Sequence, residues 1–290
     1  MEGCSKYCSY CVVPYTRGTE VSRPLKDIID EVNNLVENGT KEIILLGQNV
    51  NAYFYENEKG DIINFGLLLF YLSRNKGIKR IRYTTSHPNN FDEQTYLAYE
   101  KLPQLVSHLH LPIQSGSDKV LAAMKRGYTV LEYKSVIRKL KKARPGITFS
   151  SDFIVGFPGE TEDDFLKTID LIKDIEFDQS YSFIYSKRPG TPAASLEDNT
   201  PYSVKKERLK FLQETINSLS KNRSKSIIGE KAEVLVEGVS SKFENMVTGR
   251  TTNNKIVNIP GHNKLVGELL NIQITDFNNK SLKGEILTNY

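Results

Sequence analysis

Two spacings of apolar residues alternate along the first two thirds of the chain. Short apolar runs predict buried strands at residues 42–46, 79–85, 107–111, 147–155 and 179–185. Apolar positions three or four residues apart predict helices at residues 25–36, 65–73, 92–101, 117–125, 129–143 and 162–175. Such alternation is typical of a parallel sheet with right-handed crossovers. The pattern therefore predicts an α/β fold, with a partial (β/α) barrel favoured over an open doubly wound sheet.

The pattern changes after residue 200. A long amphipathic helix is predicted at residues 201–227. Short alternating runs follow at residues 231–237, 245–251, 256–259, 265–276 and 282–287, and turn residues such as Gly238, Gly249 and Gly261 separate or kink them. This is the pattern of a small five-stranded antiparallel barrel. We therefore expect two domains, at residues 1–227 and 228–290.

Composition excludes some classes of protein. Hydrophobic residues make up 39% and charged residues 26% of the chain, as in a soluble globular protein. The chain has no apolar run near the roughly 20 residues that span a bilayer, so we expect a cytoplasmic protein with no membrane partner. The net charge of +4 permits nucleic acid as a partner without requiring it.

All three cysteines of the chain, Cys4, Cys8 and Cys11, lie in one C-x3-C-x2-C segment. A zinc site would need a fourth ligand or a second pair, and the nearest histidine is His87. An odd cysteine count in a long chain disfavours a disulfide framework. Three thiolates can hold three irons of a cubane cluster and leave the fourth iron open. We predict that these cysteines are the metal ligands and the catalytic centre; the alternative is free or buried thiols.

The residues that follow the cysteines carry a family resemblance. Residues 12–20 read VVPYTRGTE and residues 22–24 read SRP, and together with the cysteine spacing they resemble the radical S-adenosylmethionine methylthiotransferases. The resemblance covers essentially the whole chain. It implies a (β/α)6-type barrel without its first strand, followed by an OB-like TRAM barrel. It also implies a 4Fe-4S cluster whose open iron binds S-adenosylmethionine and whose electron releases a 5'-deoxyadenosyl radical.

Polar and glycine-rich loops follow the predicted strands, at the edge where cofactors bind in barrels of this type. The resemblance implies that these loops hold S-adenosylmethionine, through Gln48, Asn49, Ser86, Gln114, Ser115, Arg126, Ile154 and Gly156. Amide side chains offer donors and acceptors, and glycine allows the backbone to approach a flat ring. The alternative for each loop is an ordinary turn or helix cap. His87 is expected to have a structural role.

The predicted RNA contacts follow from charge and from the TRAM resemblance. Residues 228–290 contain seven basic and seven acidic residues, whereas the helix at residues 201–227 is strongly basic. Phosphate contacts supply much of the affinity for nucleic acid. We predict RNA contacts from Arg188, Lys205, Arg208, Phe243 and Arg250. The alternative for the basic helix is a solvated face.

The segment GQNVNAY at residues 47–53 and Gln114 followed by Ser115 resemble the tRNA-directed, MiaB-type branch of the family. That branch converts isopentenyladenosine beside the anticodon into its 2-methylthio derivative. The implied partners are the tRNA anticodon loop and a reductase or flavodoxin-type electron donor. Open alternatives are threonylcarbamoyl-adenosine tRNA or a ribosomal protein as substrate, or a non-catalytic RNA-binding remnant.

Family members usually begin with a domain that carries three further cysteines and a second 4Fe-4S cluster. The ligands of that cluster are absent from this sequence. We expect the chain to be a fragment, the product of a late start codon, or half of a split enzyme whose other chain carries this domain.

Overall fold

A computed structural model of the chain describes residues 1–241, 243–278 and 281–287. Eight helices are present in these residues: α1 Val13–Arg17, α2 Leu25–Glu37, α3 Phe65–Ser73, α4 Glu93–Lys101, α5 Asp118–Ala123, α6 Val130–Ala143, α7 Glu162–Ile175 and α8 Tyr202–Ser226. The described strands are β1 Glu42–Leu45, β2 Phe54–Glu56, β3 Ile62–Asn64, β4 Arg80–Tyr83, β5 His108–His110, β6 Thr148–Val155, β7 Gln179–Ile184, β8 Lys231–Val239, β9 Met246–Thr251, β10 Ile256–Pro260, β11 Leu269–Asn278 and β12 Ser281–Ile286.

Five parallel strands form the first unit in the sequential order β1, β4, β5, β6, β7. β1 pairs with β4, and β6 pairs with both β5 and β7. A parallel bridge between Ile81 and Leu105 joins the two groups, with hydrogen bonds of 2.8 Å and 3.1 Å on either side of it. A doubly wound sheet would reverse its strand order at a switch point. The sequential order instead confirms the predicted partial barrel.

One face of this sheet packs on the surrounding helices. Ile43, Ile81, Leu109 and Phe153 are buried there in one hydrophobic core. The helices begin where the sequence supplies caps, as at Thr129 and Thr161, which each form a capping box with the residue three positions later. The alternate positions of the strands face the inside of the partial barrel.

Two local elements were not predicted. The short helix α1 follows the cysteines, and the hairpin of β2 and β3 lies between the first strand and its helix. Neither is long enough to show a clear periodicity, and the hairpin strands have three residues each.

The second unit is the predicted small barrel. Its strands close in the order β10, β12, β11, β8, β9 around a separate hydrophobic core. A bulge lies between Val236 and Gly238, so this glycine kinks β8 and does not end it. The strand predicted at residues 265–276 lies at Leu269–Asn278 because a 3-10 turn occupies Asn263–Leu265.

The small barrel contacts the amino ends of the parallel strands. Asn253 donates to the carbonyls of Ser107 (2.9 Å) and Gly146 (2.8 Å). Lys255 forms a buried ion pair of 2.7 Å with Asp178, just before β7. The buried Arg80 donates to backbone carbonyls of β8 and β9. The small barrel therefore lies at the end of the sheet opposite the polar loops.

No helix in the described part of the chain has the length and apolar character needed to cross a bilayer.

A polar network lies inside the first unit, near its contact with the small barrel. The His108 ring lies 3.0 Å from the Thr148 hydroxyl and 3.1 Å from the Ser150 hydroxyl. Burial, together with the charges of the nearby Arg82, His110 and Lys255, lowers the pKa of His108 to about 3. His108 is therefore neutral in the folded protein at physiological pH.

We expect His108 to make the protein sensitive to mild acid. In the unfolded chain a histidine titrates near 6.5, so between that pH and about 3 the unfolded state binds the extra proton and stability falls as pH falls. One such proton gives a slope of up to about 1.4 kcal/mol per pH unit. Between pH 7 and 5, wild type should lose roughly 1–2 kcal/mol more unfolding free energy than His108→Gln, measured by urea denaturation. Equal losses would contradict this assignment.

Candidate metal centre and cofactor site

The cysteine loop is fixed at both ends by backbone contacts. Cys4 donates its N–H to the Gly18 carbonyl (3.1 Å), and Ser9 donates to the Met124 carbonyl (2.9 Å). Gly3 has a φ of +71°, and a Cβ there would lie 2.0 Å from the Thr19 carbonyl oxygen. The loop thus requires glycine at this position. These contacts hold the cysteine loop against the first unit.

The three thiols are unpaired, and Cys8 is buried. Burial raises the pKa of Cys4, and the Glu20 carboxylate and the other two thiols raise it further. Burial also raises the pKa of Cys11, with Cys8 adding to the shift. The raised pKa values of Cys4 and Cys11 disfavour their thiolate forms, and a bound metal would stabilise those thiolates.

The number of thiols bears on the group that they could hold. In residues 1–241, 243–278 and 281–287, no group of three His, Cys, Asp or Glu side chains converges on one metal position. A cubane cluster places each thiolate on a different iron, and the three free thiols fit a 4Fe-4S cluster with one iron left without a protein ligand.

Arg126 lies directly beside the thiols. Its Nη1 is 3.3 Å from the Cys8 sulfur, its Nη2 donates to the Pro112 carbonyl (2.9 Å) and its Nε donates to the Tyr128 hydroxyl (2.8 Å). The side chain is buried. A buried guanidinium next to a sulfur ligand would offset the negative charge of a cluster and help to set its potential. Arg126 thus contacts Cys8, a predicted metal ligand, and its contact with the cofactor stays a prediction.

Unusual backbone conformations mark the carboxyl ends of three strands. Thr85 after β4, Gln114 after β5 and Gly156 after β6 have φ values of 63°, 83° and 67°. For residues other than glycine such values are uncommon and are kept where the surrounding structure enforces them. Gln114 is locked by a bridge to β6, donating to Asp152 and accepting from Ile154.

Within the described residues, buried polar atoms without a hydrogen-bond partner form two groups. One group belongs to Glu42, Arg80, Arg82 and Asp178, on β1, on β4 and just before β7. The other group comprises Gln48 Oε1, Asn49 Oδ1, His87 Nε2 and the Tyr185 hydroxyl. These residues follow or end β1, β4 and β7. Buried polar groups are normally paired, so unpaired ones at the mouth of a barrel fit a polar ligand. Gln48 and Asn49 therefore fit the predicted cofactor role.

His87 adds a hydrogen-bond donor to this group. Its Nδ1 accepts from the Asn89 N–H (3.3 Å), which leaves the hydrogen on Nε2. Burial lowers the pKa of His87 to about 2, and Arg126 and Lys6 contribute to the shift. The ring is therefore neutral and presents an N–H to the site. The expected structural role is observed at Nδ1.

Other predicted cofactor residues make internal contacts. Ser86 is buried and donates to the His110 carbonyl (2.7 Å), and the fully buried Ser115 lies 3.4 Å from the Thr168 hydroxyl. The Ile154 N–H donates to the Gln114 carbonyl, and the Gly156 N–H donates to the Glu160 carboxylate (2.7 Å). These hydroxyls and N–H groups support the loops, because their hydrogen bonds are already made.

The space beside Gly156 is also occupied by protein. A Cβ on Gly156 would lie 2.5 Å from the alkyl chain of Lys205. The prediction that this glycine lets its backbone approach a flat ring is therefore not supported. The glycine admits a lysine side chain instead.

Two of the predicted RNA contacts need correction. Lys205 is buried and forms an ion pair with Asp198. Arg208 is also buried, and it pairs with Glu160 and Glu162 at 3.0 Å each. Both cations are used inside the fold, so neither presents a free charge to RNA.

The other predicted RNA residues lie nearer to solvent. Arg188 is exposed after β7, and Phe243 is half-buried in the small barrel. Arg250 pairs with Glu237 at 3.2 Å. An RNA role for these three residues stays a prediction.

Sequence reasoning missed Glu20 and Glu160. Glu20 accepts a hydrogen bond of 2.9 Å from Asn49 and joins the segment after the cysteines to the loop after β1. Glu160 holds the turn after β6 through Gly156 and Arg208. Both glutamates lie in motifs visible in the sequence, but Asn49 and Arg208 are 29 and 48 residues away from them in the sequence.

Comparisons with known proteins agree with this geometry. Residues 1–172 match the Radical SAM superfamily and residues 225–287 match the TRAM domain. Curated proteins named tRNA-2-methylthio-N(6)-dimethylallyladenosine synthase are similar to the chain: that of Delftia acidovorans is 56% identical over 291 residues, and that of Nitrosomonas eutropha is 57% identical over 286 residues. The matches cover 100% and 99% of this chain and 66% and 65% of those proteins, so the chain spans slightly under two thirds of their length.

Solved structures agree on the fold. The radical S-adenosylmethionine methyltransferase TsrM of Kitasatospora setae has a TM-score of 0.54 at 19% identity, covering 67% of this chain and 37% of that one. Coproporphyrinogen III oxidase (HemN) of Escherichia coli has a TM-score of 0.53 at 13% identity, covering 99% of this chain and 70% of that one. At such identities the likeness concerns the fold alone.

Proposed function

Because this chain belongs to the Radical SAM superfamily and carries a TRAM domain, we propose that it acts in tRNA modification, as a radical S-adenosylmethionine methylthiotransferase. Its substrate is dimethylallyladenosine beside the anticodon, and its product is the 2-methylthio derivative of that base. The names of its relatives, at 55–57% identity, support this substrate over threonylcarbamoyl-adenosine tRNA or a ribosomal protein.

One observation supports an enzymatic function more strongly than any other. Three thiols without a disulfide lie in one loop, one of them against a buried arginine, and buried polar atoms without a partner lie at three strand ends. A remnant that only binds RNA would not need these unsatisfied polar groups, because they reduce stability.

The residues have separable roles in this proposal. When bound, a 4Fe-4S cluster supplies the single electron that splits S-adenosylmethionine into methionine and a 5'-deoxyadenosyl radical. Cys4, Cys8 and Cys11 would hold the cluster. Gln48, Asn49 and the His87 N–H are free to hydrogen-bond the polar groups of S-adenosylmethionine. Arg126 stabilises negative charge at Cys8 and ties the cysteine loop to the end of β5.

The sulfur atom must come from outside these 290 residues. The chain contains three cysteines, and all of them are assigned to one cluster. The second cluster that the family resemblance implies has no thiolate ligands here. We therefore propose that sulfur insertion depends on a further domain or a separate chain, and that a reductase or flavodoxin-type protein delivers the electron.

Two further proposals concern organisation. We place the division between the catalytic unit and the TRAM barrel at residue 227, just after the end of α8. We place the protein in the cytoplasm, where its tRNA substrate is found.

Nucleoside analysis of tRNA tests the function. In cells that lack the gene, the 2-methylthio derivative should disappear and dimethylallyladenosine should accumulate. Restoring the gene should reverse both changes, and restoring it with Cys8→Ala should reverse neither. An unchanged nucleoside profile after deletion would overturn the proposed substrate.

A further inference from the structure

Exposed aromatic residues line the inner face of the partial barrel. Tyr181 and Phe183 on β7 are 59% and 55% exposed. By strand alternation they share one face, opposite the side chains that pack on the helices. The register places them beside Asp152 and Ile154 of β6, respectively. Two neighbouring aromatic side chains left open on the inside of a barrel are unusual for a packed interior.

A polar pair adjoins these aromatic residues. His110 Nε2 lies 3.4 Å from the Asp152 carboxylate, and its Nδ1 lies 2.9 Å from the Ser150 hydroxyl. The His110 ring meets Tyr181 edge to face, with 5.7 Å between centroids. We call His110, Asp152, Ile154, Tyr181 and Phe183 the inner-face patch. It combines hydrogen-bonding groups at one end with apolar surface at the other.

The inner-face patch reaches the cysteine loop. Ile154 packs against the same small apolar cluster as Tyr10, which lies between Cys8 and Cys11. The Tyr10 hydroxyl also lies 3.5 Å from Arg126, the residue beside the Cys8 sulfur. A flat molecule on the patch would therefore lie next to the proposed radical source.

A cleft adjoins the patch at Tyr181, and its side chains are of the types that bind RNA. A cleft of about 790 Å³ lies between β7, α8 and the TRAM barrel, and Tyr181 forms part of its wall. Amide, cationic and aromatic side chains line the rest, including Gln213, Asn217, Lys221, Arg250 and Phe277. Aromatic side chains that stack on bases, combined with cations and amides, are typical of sites for single-stranded nucleic acid.

We propose that the inner-face patch binds the modified adenine base itself, with Tyr181 stacking on the ring and Phe183 contacting the dimethylallyl group. The RNA strand on either side of the base would then run through the cleft beside the TRAM barrel. This inference rests on the proposed function, and it assigns substrate specificity to Tyr181 and Phe183, which are assigned neither to the cluster nor to S-adenosylmethionine. The His110–Asp152 pair supplies polar contacts to the base edge.

Binding of two synthetic RNAs tests this proposal without any radical chemistry. The RNAs are anticodon stem-loops that differ only in the dimethylallyl group, and their affinity for the 290-residue chain is measured by fluorescence anisotropy. Tyr181→Ala should weaken binding of both RNAs roughly 5- to 100-fold, as expected for the loss of one stacked base. Wild type should prefer the dimethylallyl RNA by roughly tenfold or more, and Phe183→Ala should remove most of that preference.

Matched controls separate this effect from general loss of aromatic surface. Tyr202→Ala and Phe54→Ala remove side chains that are 63% and 54% exposed and lie outside the patch. Both should bind like wild type, and thermal unfolding should show that all four variants fold. The proposal is overturned if wild type does not distinguish the RNAs, or if Tyr181→Ala and Phe183→Ala behave like their controls. Either result would leave the nucleoside analysis, and hence the proposed function, unaffected.

Discussion

Replacing Cys8 with alanine should abolish reductive cleavage of S-adenosylmethionine. Two thiols cannot replace three as ligands of a cubane cluster, and Cys8 is the buried one that also contacts Arg126. After anaerobic reconstitution, wild type should bind about four irons per chain, as one cubane cluster requires, and should form 5'-deoxyadenosine when reduced. Cys8→Ala should bind almost no iron and form no 5'-deoxyadenosine above background.

Ser5→Ala is the control for this variant. Ser5 lies in the same loop, is exposed, and its hydroxyl accepts one hydrogen bond from the Glu20 N–H. It should retain the iron and the activity of wild type. If Cys8→Ala kept a full complement of iron and cleaved S-adenosylmethionine, the assignment of the cysteines would be wrong.

The second large effect is expected on stability. Arg208 on α8 pairs with Glu160 and Glu162 and donates to the Glu160 carbonyl. Burial raises the pKa of Glu160, whereas its hydrogen bond from Gly156 and the charge of Arg208 oppose that shift. Arg208→Met would leave Glu160 buried without its cation, so the free energy of unfolding should fall by about 3–5 kcal/mol. Urea denaturation at pH 7 would measure this loss.

A surface pair on the same helix provides the comparison. Lys210 lies 3.9 Å from Glu214, and both side chains are mostly exposed. Lys210→Met should change the free energy of unfolding by no more than about 0.5 kcal/mol. Adding Glu160→Gln to Arg208→Met should recover part of the loss, because no buried charge then remains unpaired. A loss below about 1 kcal/mol for Arg208→Met would mean that the pair is unimportant for stability.

The parallel strands and most helices could be predicted because each has a periodicity of its own. The strand predicted at residues 147–155, for example, is observed at Thr148–Val155, and the helix predicted at residues 162–175 is observed at those positions. The hairpin at residues 54–64 could not be predicted, because its three-residue strands are too short to show a pattern.

The cysteine site could be predicted because its residues are adjacent in sequence. The cofactor loops were predicted only in part, since sequence position does not reveal whether Ser115 or Gly156 already has a partner. Lys205 and Arg208 show the same limit most clearly. Both were predicted to contact RNA, but Lys205 pairs with Asp198, just before the helix, and Arg208 pairs with Glu160, 48 residues away in the sequence. Such pairing depends on the tertiary fold.

Electron paramagnetic resonance on the reduced, iron-loaded protein tests the central claim most directly. The claim is that three thiolates hold a cluster with one iron open to S-adenosylmethionine. Adding S-adenosylmethionine to wild type should therefore change the spectrum of the reduced cluster, because the iron gains a new ligand. A protein that takes up zinc in place of iron, or a cluster spectrum that S-adenosylmethionine leaves unchanged, would contradict it.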